Sequence, residues 1–550
     1  MSKACSPTGG VLPSEDAPLE ADRPEILEQK DLELLGRQRP PSLPTQLVEC
    51  TFVFTILLSM TMAEYTISGF NIVLPSLTES LHIPESARTW PAGVPNLTTG
   101  CLLLPCARFC DQYGGKAVFL AGHLWLFVWS LISGFSQNST MLIVCRAMQG
   151  LGSAAFLPAG IALLGRIYRP GPRKNLVFGL YGACACIGFY IGIVIGAIAS
   201  DYLNWRWFFW IGAILVGVVV VLGFLTIPGR LGDGDQNVRM DWRGLCTVVP
   251  GLILVVFALT DGGHAPDGWR TPYIFLTFIV GLLFLCVAVY VQGWVSAVPL
   301  LPAELFRPKY MKRLSVALFC SYGVFGVFLF YASFYIESAL HITPMLTAAW
   351  FTPLAVGGVL LAVTGGFVLH VLPGRLLLII SGIGYILSVL LFALVPARSE
   401  SGEPSITFLY WAYVFPAMCC GTIGVDIAFN VTNVFITTAM PARLQATAGA
   451  LINSLLYLGL AFWLGIAELA VSTTVNRRGE ENVDMRSRYK VGFWTGVGLA
   501  VVALCLTSTV NLGKAAADMT ADEKAKLEQD ASQCPIDGLP ATDEEQDVRR

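Results

Sequence analysis

From Thr51 to Leu512 the chain is a nearly unbroken series of apolar stretches, each about the length of a bilayer-spanning helix and almost free of charge. A hydrocarbon core takes roughly 20 apolar helical residues per crossing. The solvent of this chain is therefore lipid, and the few charges inside the stretches become the natural functional candidates. Composition agrees. The 550 residues are 55% hydrophobic and 13% charged, whereas a soluble domain carries about 25% charged residues. A net charge of −3 with no basic stripe argues against a nucleic-acid partner.

Apolar runs place spans near 48–72, 90–109, 117–136, 141–165, 176–199 and 207–228, then 245–263 and 272–293. A further six fall near 314–336, 345–368, 374–395, 407–436, 445–470 and 491–512, for a total of about fourteen. An even count puts both tails on one side. The polar, charged segments 1–46 and 513–550 read as disordered. No cleavable signal peptide is expected ahead of the first span. With the tails cytosolic, the inner loops hold Arg108, Lys116, Arg166, Arg169, Arg173 and Lys174, and later Arg307, Lys309, Lys312 and Arg313. That is the positive-inside pattern. The loop after span 13 departs from it, with Arg477, Arg478, Arg486, Arg488 and Lys490 outside, next to Glu480, Glu481 and Asp484.

Glu64 is the only Asp, Glu, Lys or Arg between Cys50 and Thr78. A carboxylate in lipid must face a cavity, take a proton, or do both. The competing reading is a protonated Glu bonded to a neighbouring helix. Asp426 stands alone between Glu403 and Arg443. Asn430 and Asn433 follow at i+4 and i+7 on one helix face, as a site for substrate or proton or as a polar helix contact. Arg146 is isolated in the same way, with Gln149, Gly150 and Ser153 on its face. It needs a partner, and Glu64 is one candidate. Glu468 falls near an outer end, where it could reach water. A lone His123 reads more simply as packing than as a proton relay. The sequons at Asn96, Asn138 and Asn430 lie in spans or in a very short loop, so glycosylation is discounted.

The 15 cysteines form no CxxC pair and no Cys/His cluster with zinc spacing. Neither metal nor cofactor is expected. Paired catalytic carboxylates, clustered histidines and a phosphate-cradling loop are also missing, so an enzyme is not the expectation.

Two motifs carry a family resemblance. ARFCDQYGGK, Ala107 to Lys116, resembles the gating loop of the major facilitator superfamily. CRAMQGLGSAAFLPAG, Cys145 to Gly160, is similar to that superfamily's fourth-helix motif. RPGPRKN from Arg169, NWRWFFWI from Asn204, MDWRG from Met240 and YWAYVFPAM with GVDIAFNV from Tyr410 to Val431 resemble the fungal aminotriazole-resistance-type branch of the fourteen-span drug:proton antiporters. The resemblance covers roughly residues 47 to 512. It implies an all-α protein with two six-helix bundles, 47–228 and 314–512, and a linking helix pair within 229–313. It also implies a central cavity and alternating access, the general logic of repeat transporters. By the same resemblance Arg146 takes a proton-coupling position, and Asp111, Gly114 and Lys116 form the inner gate. Ala107, Gln112 and Gly115 depart from the gating pattern, and span 5, GACACIGFYIGIVIGA, lacks the antiporter Pro.

The expected activity is proton-coupled export of a small organic compound, a drug, toxin or secondary metabolite. Glu64 or Asp426 binds the proton, while Arg146, Gln149 and Asn430 support the transport path. The alternatives are uptake or export of a nutrient or small inorganic solute by the same fold, and a membrane sensor without flux. Trp125, Trp350, Phe351 and Trp411 are candidate cavity aromatics or packing residues. The partners expected are protons, a small-molecule substrate and the bilayer. The plasma membrane is the first expected location and the vacuolar membrane the second.

Overall fold

In the computed structural model the described residues are 38–168, 172–229, 239–266, 268–396, 405–440, 442–479 and 484–513. Most of the two tails, Arg169, Glu403, Glu480 and Glu481 lie outside them. Fourteen long helices run through the described part: α1 Gln46–Ser80, α2 Trp90–Tyr113, α3 Gly115–Ser133, α4 Ser139–Ile167, α5 Pro172–Asp201, α6 Arg206–Thr226, α7 Trp242–Asp261, α8 Pro272–Tyr290, α9 Met311–Phe334, α10 Thr352–Val371, α11 Gly374–Ala393, α12 Phe415–Ala439, α13 Ala442–Arg478 and α14 Met485–Ser508. Each expected span maps onto one of them. Thirteen are long and apolar enough to cross a membrane. The remaining helix, α2, has the length, but Pro91, Pro95, Asn96, Thr98, Thr99 and Pro105 dilute its apolar character. A helix that borders a polar interior can bear that dilution.

Local sequence explains several boundaries. Thr45 and Asn138 cap α1 and α4, accepting from Val48 N and Met141 N at 3.2 and 2.8 Å. Such caps satisfy backbone donors that lipid could not. The Asn138 sequon is thus a helix cap. Gly114 joins α2 to α3 at φ 89°, a conformation open to glycine at little cost.

Helices α1 to α6 and α9 to α14 form two bundles with the same neighbour pattern. In the first, α1 packs on α5 and α6, α4 on α2 and α3, and α3 on α6. In the second, α9 packs on α13 and α14, α12 on α10 and α11, and α11 on α14. Glycine closes the equivalent seams. A Cβ on Gly192 of α5 would lie 2.8 Å from Tyr65 Cα of α1. One on Gly459 of α13 would lie 2.7 Å from Phe319 O of α9. Helices in lipid gain contact energy only by such close approach.

The bundles meet along two seams, α2 with α13 and α5 with α10. The linking pair α7 and α8 covers one of them. Helix α7 packs on both α13 and α2. Arg108 of α2 donates to Pro299 O beyond α8 at 3.1 Å, and Trp90 of α2 meets Phe257 of α7 at 5.7 Å.

Candidate functional site

Arg146 is 1% exposed. Its Nε donates to Pro91 O at 3.1 Å, Nη1 to Gln149 Oε1 at 2.9 Å and Nη2 to Thr66 O at 3.1 Å. Gln149 Nε2 in turn donates to Ser130 Oγ at 3.1 Å. The Phe70 ring lies 3.9 Å from the guanidinium carbon. The expected Glu64 partnership is therefore corrected. Among the described residues, Arg146 makes no ion pair, and carbonyl dipoles, an amide and a ring face hold it instead. A buried cation accepts such partners because each hydrogen bond to it is charge-assisted. Helix α4 makes this local: Arg146 and Gln149 are at i and i+3, one above the other.

A small cleft opens beside this group, bounded by Ala63, Thr66, Asn96, Arg146, Gln149 and Tyr457. A second lies against the same guanidinium and is bounded by Tyr65, Ser130 and Phe208. Glu64 follows Ala63 in α1 and is half-buried, and its side chain makes no hydrogen bond among the described residues. It lies within electrostatic range of Tyr181, Cys186, Tyr457 and Asp426.

Asp426 comes from α12 in the other bundle. Its Oδ2 accepts from Thr422 Oγ1 at 2.7 Å, and Cys186 Sγ of α5 lies 3.9 Å from Oδ1. A Cβ on Gly358 of α10 would meet Asp426 Oδ2 and Cys186 Sγ at 3.1 Å, so a small residue keeps that carboxylate in contact with the opposite bundle. The structure thus brings Glu64 and Asp426, distant in sequence, to one interface. Asn430 is half-buried one turn further along α12 and makes no hydrogen bond among the described residues. Asn433 does take part in an interaction.

The expected gating residues take separate partners. Asp111 does not meet Lys116. It pairs with Arg166 at the end of α4, 3.5 Å away. Lys116 Nζ donates to Ile227 O at 2.5 Å and Phe224 O at 3.3 Å, capping the end of α6. The reason is helix packing: α3 lies on α6 and carries Lys116 with it, while α2 lies on α4. A basic side chain among terminal carbonyls is electrostatically favoured.

Other candidates resolve plainly. His123 is fully buried between Phe119 and Phe156, with ring centroids 4.3 and 4.1 Å away, and is a packing residue. Trp125 and Trp411 are exposed rather than cavity-lining, whereas Trp350 and Phe351 are buried. Glu468 does not reach water. Its Oε1 meets His264 Nε2 at 3.0 Å, and Tyr331 OH donates to its Oε2 at 3.2 Å. The basic loop after α13 has its own partners: Arg488 pairs with Glu85, and Lys490 Nζ donates to Val395 O at 2.6 Å.

Residues missed from sequence include Tyr457, Tyr181, Cys186, His264 and the pair Glu49–Arg173, whose Arg Nη2 donates to the carboxylate at 2.9 Å. Glu49 lies at the very start of the first span and gave no signal beyond a helix-start acid.

The sequence pattern of the Major Facilitator Superfamily matches residues 54–464, which contain Glu64, Arg146 and Asp426. The chain belongs to the Major Facilitator Superfamily. It is a multi-pass membrane transporter, as the motifs of α2 to α4 imply. Within the superfamily it is similar to the efflux pump terJ of Aspergillus terreus, 29% identical over 86% of this chain and 89% of that one. It is also similar to the low affinity ammonium transporter of Saccharomyces cerevisiae, 31% identical over 88% and 92%. The aminotriazole resistance protein of the same yeast is 28% identical over 84% and 83%.

Proposed function

We propose that this protein is a proton-coupled exporter of a small organic compound, working by alternating access. The observation that carries this reading is a pair of carboxylates, Glu64 and Asp426, contributed by opposite bundles to one interface. Moving the bundles apart and together changes the surroundings of both acids. A site of this kind can take a proton in one state and give it up in the other. Arg146, held by Gln149, sets the local field, and Asn430 extends the polar face of α12. The bundles 47–228 and 314–512 rock about this level, while 229–313 rides along the α2/α13 seam. Asp111, Gly114 and Lys116 belong to the cytosolic gate, with Arg166 the partner of Asp111. Both termini are cytosolic, and the protein works in the plasma membrane. Similarity to a fungal efflux pump supports the outward direction.

A second reading, movement of a small inorganic or nutrient solute, is favoured by the similarity to a low affinity ammonium transporter. One experiment addresses both. Purified protein is sealed in liposomes with a pH dye, and gradients of hydrophobic drugs, ammonium and small anions are imposed on wild type and Glu64→Gln. Solute-driven proton movement that disappears in Glu64→Gln supports coupled transport, and its sign gives the direction. Solute flux with unchanged proton movement in the variant sinks the role of Glu64.

A further inference from the structure

The linking pair ends, on the inner side, in a group of cations with no role in transport so far. Arg239 and Arg243 flank the start of α7, and Arg307, Lys309, Lys312 and Arg313 lead from α8 into the first turn of α9. All six are exposed. Among the described residues none of them pairs with a carboxylate, and Lys309 has only the Tyr310 ring, 5.3 Å away. Other inner cations behave differently: Arg108 donates to Pro299 O, Arg166 pairs with Asp111, and Arg173 pairs with Glu49. The acids nearby are taken. Asp241 is 6% exposed and accepts from Gly244 N at 2.9 Å and from Gln292 Nε2 at 2.7 Å. Glu304 is half-buried and engaged in an interaction of its own. Positive-inside insertion accounts for the side on which the six cations lie, but not for their lack of partners.

The same end carries exposed aromatic rings. Trp242 opens α7 and Trp294 follows α8, and they are 59% and 76% exposed. Tyr290 stacks on Trp294 with ring centroids 5.8 Å apart, and Phe109 of α2 meets Trp242 at 6.1 Å. Trp and Tyr at the ends of membrane helices mark the headgroup level of a bilayer. Hydrogen bonds join the pieces into one ledge. Gln292 reaches Asp241 at the start of α7, and Leu301 N donates to Gln292 Oε1 at 3.2 Å. Arg108 of α2 holds the same loop through Pro299. The turn into α9 is constrained: Tyr310 takes φ 75°, in the left-handed region that bulky residues seldom adopt. The cations gain little from the protein itself. Lys312 and Arg313 stand in the first turn of α9, the positive end of its dipole.

We infer that the inner end of the linking pair is a docking surface for anionic phospholipid headgroups. The lipid phosphates serve the six cations, while Trp242 and Trp294 sit at the level of the headgroups. Charge complementarity selects this occupant. Cations without a carboxylate lie at headgroup depth, and anionic lipid is concentrated in the cytosolic leaflet. With the tails cytosolic, as in the reading above, that is the leaflet these residues face. Docked lipid holds the loop after α8 in place, and the bond from Arg108 to Pro299 carries that restraint to the inner end of α2.

The test is lipid retention by the purified full-length protein. It is reconstituted in vesicles of equal parts phosphatidylcholine and phosphatidylserine, extracted in detergent and washed, and the lipids still bound are counted by mass spectrometry. Wild type should retain phosphatidylserine in about fivefold excess over phosphatidylcholine. Washing in about 0.5 M salt should remove the excess. A variant with Arg307→Gln, Lys309→Gln, Lys312→Gln and Arg313→Gln should retain the two lipids equally. Arg307→Lys with Arg313→Lys should keep the excess, because a headgroup phosphate reads the charge. Arg39→Gln with Arg375→Gln, exposed cations elsewhere on the same face, should also keep it. Wild-type protein without the excess overturns the inference, a measurement that needs no variant to fold. So does an excess that persists in the fourfold variant, or one lost equally in the Arg39 and Arg375 control. An excess that appears only after the acidic segment 514–550 is removed makes that segment the occupant and has the same force. Retention is read without flux, so this inference and the transport reading fail separately.

Discussion

The two seams between the bundles are built from equivalent helices but to different ends. Along α5, facing α10 and its neighbours, the contact is polar and partly buried. Cys186 touches Asp426, Tyr190 OH lies 2.7 Å from Thr352 Oγ1, and Asp201 accepts from Met345 N at 2.7 Å. At α2/α13 the contact is apolar and strapped from outside by the linking pair. Leu97, Cys101, Val256 and Ala461 from three helices form one small cluster there. A Cβ on Gly465 of α13 would lie 2.6 Å from Thr260 Oγ1 of α7. One seam sets a carboxylate against the opposite bundle, and the other packs apolar side chains from three helices. A pseudo-symmetric fold can separate these tasks only by breaking its symmetry, and the inserted helix pair does so.

The strap has a charged clasp. His264, in the loop after α7, meets Glu468 of α13, and Asn476 Nδ2 donates to Gly263 O at 2.9 Å. Burial works against a charged imidazole. The Glu468 hydrogen bond and the carboxylates of Glu468, Asp261 and Glu85 outweigh it, so His264 titrates above its ordinary 6.5. A group raised on folding contributes stability that is fully present below the unfolded value and is lost as pH rises through the folded one.

The largest effect is expected at the polar seam. Asp426→Asn should reduce solute-driven proton movement in liposomes to background, while size-exclusion behaviour stays that of wild type. Coupled flux near the wild-type rate would remove Asp426 from the mechanism and leave the seams functionally alike. Next, Gly358→Val puts branched carbon where Asp426 Oδ2 and Cys186 Sγ approach. Flux should fall roughly tenfold, a barrier change of about 1.4 kcal/mol. An unchanged rate would mean that the close contact at this seam is not visited during turnover.

The strapped seam should respond through stability first. His264→Gln should lower the melting temperature by the equivalent of about 1.5 kcal/mol, the scale of a hydrogen bond to a charged group. The gap to wild type should be widest below pH 6.5, the ordinary His264 value, and should shrink as pH rises. A gap independent of pH would identify a neutral contact. The smallest effect is expected at Asp111→Asn. Its pair with Arg166 is half-exposed and 3.5 Å long, so turnover should slow only about threefold, with substrate binding nearly constant. A far larger loss would point to a partner of Asp111 in another conformation.

Length, apolarity and local pattern were enough to place all fourteen helices, because a lipid-spanning helix is defined by a single stretch of chain. Asp426 and Glu64 were conspicuous for the same reason: a carboxylate in a twenty-residue apolar run is costly wherever it ends up. What each charge faces was decided elsewhere. Arg146 turned to Pro91, Thr66 and Gln149 rather than to Glu64. Lys116 followed α3 onto α6, away from Asp111. Glu468 found His264 across 204 positions of sequence. Helical periodicity places a residue on a face of its own helix but says nothing of which helix covers that face. The sequence by itself therefore determined the solvent, the spans and the suspects. Only tertiary packing brought Glu64 and Asp426 to one interface, because that pairing depends on how two bundles dock.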